Sequence, residues 1–192
     1  MSERISKDHS RRVMEMLEDL TGGLITKEDI LFKYEMYRRI NFSRTNALWE
    51  AFRIIIFTRY TNTASYLNPV FLGLKDYNGE TLKIMRRSTN ENVYRKVAIS
   101  YPDATPAQFT LEVYEVKPEF GDSYYYYLLF IKEEDNIERV RYDSELDNKI
   151  YKSLSETVDD GLETLVESMV VYALDKTAHK EEPDVLFKAW EW

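Results

Sequence analysis

The spacing of apolar residues divides the chain into a helical third, a strand-rich middle and a closing helix. Val13, Met16, Leu17 and Leu20 recur every three or four positions, an apolar stripe that predicts a first helix ending at Gly22-Gly23. Thr26 opens a second, with Asp29 three residues on as a capping-box variant and Ile30, Leu31, Tyr34 and Tyr37 as its buried face. Ser43 caps a third, which runs to about Tyr60. Its Leu48, Trp49, Phe52, Ile54, Ile55, Ile56 and Phe57 leave no clean polar side, which predicts a central, buried helix; the β-branched run Ile54 to Ile56 also suits a strand.

From Asn68 the period changes to two. Val70 to Leu74 and Leu82 to Met85 flank Asp76-Tyr77-Asn78-Gly79-Glu80, which predicts a hairpin. A three-residue loop with Gly79 left-handed pairs Leu74 with Leu82 and Leu72 with Ile84 on one apolar face. Four further strands are expected over Val93 to Ser100, Gln108 to Val116, Ser123 to Lys132 and Ile137 to Tyr142. The run Tyr124 to Ile131 is apolar or aromatic on both faces, as a central strand requires. Thr157 with Asp160 forms a capping box for a long last helix with Val158, Leu162, Leu165, Met169 and Tyr172 or Ala173 as its core stripe. The expected fold is α+β, with about three N-terminal helices packed on a five- to six-stranded, mainly antiparallel sheet and a long C-terminal helix. Residues 1–66 form the helical part, 67–178 the sheet and last helix, and 179–192 an aromatic tail, together one compact unit.

Composition narrows the chemistry. The 192 residues include no Cys and two His, His9 and His179, which excludes disulfides, thiol nucleophiles and Cys-ligated metal and leaves little for a His-based site. Both His sit in charged terminal segments and read as solvated. No phosphate-cradling glycine loop, nucleophile elbow or zincin helix occurs. No cofactor is expected. Neither a signal peptide nor a run long enough to span a membrane is present, so a cytoplasmic location is expected, or the virion if the protein is viral.

Charge is uneven. Residues 1–100 carry 17 basic and 12 acidic side chains, a net of +5, whereas 101–192 carry 9 and 22, a net of −13. A chain so divided can dock by long-range attraction, although acidic helices also serve solubility alone.

Three patterns bear on function. Pro102-Asp103, eleven residues, then Glu115-Val116-Lys117 resembles the PD-(D/E)xK signature of metal-dependent nucleases. That resemblance implies Asp103 and Glu115 sharing Mg²⁺ with Lys117 activating water. It covers sixteen residues, and Pro118 with another strand follows where the family places a helix. Asp143, Glu145 and Asp147 have calcium-loop spacing, but Asn148 stands where Gly is needed and Leu154 where Glu is, so an acidic helix start is the expectation. Three helices followed by a hairpin resemble the order of a winged helix. Arg38, Arg39, Arg44, Arg86 and Arg87 would meet DNA, with Arg53, Arg59, Arg95 and Lys96 nearby. The third helix is apolar where a recognition helix is polar, and the sequence pI is about 5.0.

The leading expectation is a non-catalytic protein–protein interaction or assembly protein. A viral structural component, or an inhibitor or adaptor of a larger complex, fits. Fifteen Tyr and three Trp are many for this length, and such rings anchor interfaces, although Trp49 and half of the run Tyr124 to Tyr127 are expected in the core. Val185, Leu186, Phe187, Trp190 and Trp192 near the chain end are the expected partner-binding residues, taking a groove on this chain or on a neighbouring subunit. A DNA-binding regulator and a Mg-dependent nuclease are the alternatives.

Overall fold

The computed structural model describes residues 5–66, 74–76, 83–85 and 92–178. The aromatic tail, Arg86, Arg87 and the Asn78-Gly79 turn lie outside the described residues.

Helix α1 (Lys7–Leu20) is capped by Ser6, whose side chain accepts from the His9 N–H. It buries Val13, Met14, Leu17 and Leu20. Gly22 (φ +59°) and Gly23 (φ +82°) stop it, and the Gly23 N–H closes on the Glu18 carbonyl at 2.9 Å. Gly22 is required twice over, because a Cβ there would stand 1.9 Å from the Pro102 carbonyl oxygen. Thr26 caps α2 (Lys27–Arg39) by accepting the Asp29 N–H at 3.2 Å, as the capping pattern predicts. Ser43 caps α3 (Arg44–Tyr66), accepting the Asn46 N–H at 3.2 Å. Ala47, Leu48, Ala51, Phe52, Ile55 and Ile56 are buried, so α3 is the central helix, and the triple Ile run is helical.

The sheet is antiparallel throughout. Its body is four strands in meander order: β3 (Asn92–Ser100), β4 (Gln108–Lys117), β5 (Tyr124–Lys132) and β6 (Glu138–Asp143). Two three-residue strands, β1 (Leu74–Asp76) and β2 (Lys83–Met85), both pair with β3. The expected hairpin is therefore corrected. Leu74 lies opposite Ile99 and Ile84 opposite Val93, so β1 and β2 follow one another along a single edge instead of pairing together. On its other side, the ladder of β3 with β4 has a register shift between Arg95 and Val97, level with the gap between the residues that pair with β2 and with β1.

Helix α4 (Leu154–Ala178) crosses the inner face of the sheet. It begins three residues before the expected cap: Ser153 accepts the Glu156 N–H, while the Thr157 hydroxyl donates to the Ser153 carbonyl from inside the first turn. Val158, Leu162, Leu165, Met169, Tyr172 and Ala173 all face the core, as the periodicity requires. Gly161 permits the close approach, since a Cβ there would stand 2.9 Å from Leu111 Cδ1. One apolar core results, joining α1, α3 and α4 with Val97, Ile99, Phe109, Leu111, Val113, Tyr127, Leu129 and Ile131 of the sheet.

The fold class is thus α+β, with strand and helix counts roughly as expected. His9 departs from expectation: it is buried, with Nε2 2.8 Å from the Thr177 hydroxyl. Its position in the first turn of α1 turns it inward onto the end of α4.

Candidate docking surface

Helix α2 shows how an exposed apolar face arises. Ile30 and Tyr34, four apart, take the inner side and are buried. Phe32, Met36 and Ile40, also four apart, fall on the outer side and stand 66%, 45% and 62% exposed. Leu31, expected in the core, is 42% exposed. The helix therefore carries two apolar stripes, and α1 and α3 can cover only one. Glu28 and Asp29 lie in its first turn, Arg38 and Arg39 in its last, each where the helix dipole favours it.

Beside this ridge runs a groove of about 520 Å³ between α1 and α2, floored by Met14, Leu31 and Tyr34. Ion pairs rim it: Arg11 binds Asp8 at 2.9 Å and Glu15 at 2.7 Å, and Lys27 approaches Glu15 at 3.8 Å. The Arg11 hydrogen bond, with Arg12 beside it, holds the Asp8 carboxyl below the usual carboxylate range.

The outer face of the sheet is also aromatic. Tyr114 stacks on Tyr126 with ring centroids 5.2 Å apart, beside the buried Val93 and Val116. Arg95 binds Glu112 at 2.8 Å, and Glu112 also accepts the Tyr114 hydroxyl. Burial first, and Glu112 second, push the Tyr114 phenol far above its ordinary value.

The nuclease-like residues are not brought together. Asp103 lies in the β3–β4 turn at φ +59°, lining a depression with Asp19, Gln108 and Lys132. Glu115 stands seven residues beyond Gln108 on β4, roughly 23 Å along the strand. There it accepts the Tyr125 hydroxyl at 2.9 Å and faces Lys117 at 3.8 Å. The calcium-spaced acids occupy a turn before α4, not its start. Asp143 accepts the Glu145 and Leu146 N–H groups, Tyr124 donates to Glu145, and Tyr142 donates to Asp147. Among the described residues no three His, Asp or Glu side chains are grouped to hold a metal ion.

The basic residues are largely tied into the fold. Arg38 donates to the Phe42 carbonyl at 2.9 Å, and Arg44 reaches the Ile5 carbonyl at 3.5 Å. Arg53 binds Glu163 at 2.5 Å, and Arg59 binds Asp29 at 2.9 Å and the Leu24 carbonyl. Hydrogen bonding to Glu163 raises the Arg53 guanidinium above its ordinary value. Arg39 remains outward on α2.

The signal for Phe32, Met36 and Ile40 was present in the sequence as a second four-residue spacing on one helix. It is hidden there by the adjacent Leu31 and Tyr37, which read as one broad buried face. No helix among the described residues is long and apolar enough to cross a membrane. In comparisons with known proteins, the chain matches no family model, no curated sequence and no solved structure.

Proposed function

We propose that this protein is a non-catalytic interaction or assembly module that binds other polypeptides through exposed apolar surface. The observation that carries the proposal is the α2 ridge of Phe32, Met36 and Ile40, with Leu31 at the head of the groove. Large apolar side chains at consecutive turns of one helix, flanked by charge, have the layout of a helix–groove interface. The tail residues Val185, Leu186, Phe187, Trp190 and Trp192 belong to the proposal as a second contact on the strength of their composition. A structural component, or an adaptor or inhibitor of a larger complex, is the setting this chemistry suits. Duplex-DNA binding receives less support: α3 is internal, and Arg53, Arg59 and Arg95 serve ion pairs within the fold.

The test is capture of partners from the native source by three forms: wild type, Phe32→Asp with Met36→Asp, and a deletion of 183–192. Either alteration is expected to remove specific partners without changing the melting temperature. An identical set captured by all three forms would overturn the proposal.

A further inference from the structure

Helix α2 is laid out to pair with itself. At 100° per residue, Glu28, Phe32, Met36 and Arg39 fall within an arc of about 80° on its outer side. Along the axis they read acid, apolar, apolar, base. Among the described residues neither Glu28 nor Arg39 has an internal ion-pair partner, whereas Asp29 is held by Arg59 and Lys27 lies near Glu15. The charges at the two ends of the apolar stripe, Glu28 and Arg39, are thus opposite in sign and on the same flank, with the exposed Glu35 between them.

From this arrangement we infer that two copies of the chain associate through α2, antiparallel, about a two-fold axis passing between positions 33 and 34. This rests on the reading of the chain as an interaction module and names one partner, a second copy. The axis brings Glu28 of each copy level with Arg39 of the other, so a single contact type is made twice, as an isologous interface demands. Phe32 and Met36 of both copies fill the space between the two ion pairs. The two helix dipoles oppose, and each acidic first turn meets a basic last turn. Parallel pairing would instead set Glu28 against Glu28 and Arg39 against Arg39. A helix of thirteen residues offers less than the roughly 800 Å² per partner of a standard interface, so dissociation in the micromolar range is expected.

Sedimentation equilibrium on the full chain, from about 1 to 200 μM, tests the inference. The expected result is a reversible equilibrium between the 22.9 kDa monomer and a dimer of twice that mass. Phe32→Asp should leave only monomer with an unchanged circular-dichroism melting curve, since Phe32 contributes nothing to the core. Glu28→Arg alone and Arg39→Glu alone should each weaken the dimer about tenfold, by setting like charges together twice. The double variant Glu28→Arg with Arg39→Glu should return to within about threefold of wild type, because the exchange restores both pairs. Monomer throughout, a dimer indifferent to Phe32→Asp, or a double variant no tighter than the singles would each overturn the inference. Capture of other partners is read separately, so a strictly monomeric chain that still loses partners on Phe32→Asp would leave the proposed function standing.

Discussion

His9 Nε2 and the Thr177 hydroxyl, 168 residues apart in sequence, meet at 2.8 Å and join the first turn of α1 to the last turn of α4. The direction of the bond follows from its neighbours. Thr177 places its one hydroxyl proton on the Ala173 carbonyl at 2.6 Å, so it accepts from His9, whose Nε2 carries the hydrogen. Thr177→Val keeps the shape and removes that acceptor in a buried setting. The expected loss is about 1 to 3 kcal/mol, read as a fall in melting temperature of several degrees. An unchanged melting curve would mean that the bond adds nothing to the packing of the two helices.

Gly22 and Gly23 make a matched pair for separating backbone strain from collision. Both have positive φ, but a Cβ at Gly23 meets nothing within 4 Å, whereas one at Gly22 strikes the Pro102 carbonyl. Gly23→Ala should lose only the conformational cost of about 1 to 2 kcal/mol. Gly22→Ala should lose about 3 kcal/mol or more, because the turn between β3 and β4 must also move. Urea denaturation of the two variants checks the order, and equal losses would show that the turn yields freely.

Local patterns were readable wherever one element determined its own outcome. Thr26 and Ser43 cap where their spacing places them, and the stripe from Val158 to Ala173 faces the core as its period requires. The α4 cap fails locally, because Ser153 accepts the Glu156 N–H and draws Thr157 inside the first turn; the other failures come from competition with a distant partner. The segments Leu74–Asp76 and Lys83–Met85 alternate as a hairpin would, yet both are bound by β3, a partner that no local rule identifies. His9 reads as solvated from its charged neighbours, and only the return of α4 makes it a core residue. At the docking surface, period alone places Leu31 in the core, whereas it stands exposed. The number of apolar residues on α2 exceeds what one neighbouring layer can cover, and the helix at its back decides which are left outside.

Asp19 ends α1 against the helix dipole. The last turn of α1 contains no basic residue, and Asp19 lies near Glu15 and Glu18 at the negative end. Partial burial first, then Glu18 and Glu15, raise its carboxyl above the ordinary carboxylate value. A carboxyl with a raised folded-state pKa binds its proton more tightly in the native protein than in the unfolded chain. Its ionised form therefore lowers stability at neutral pH, and the penalty fades as pH falls through the folded value toward the unfolded one near 3.9. Asp19→Asn removes the charge while leaving the backbone carbonyl that accepts the Thr105 N–H at 3.1 Å. The expected gain at pH 7 and low salt is about 0.3 to 1 kcal/mol, or one to three degrees in melting temperature. The gap between variant and wild type should shrink on adding 0.5 M NaCl, roughly a 4 Å screening length. It should close by about pH 3, where both states of the wild type carry the proton. A variant no more stable than wild type at pH 7, or a gap that persists in acid, would show that the carboxylate is compensated by contacts other than these.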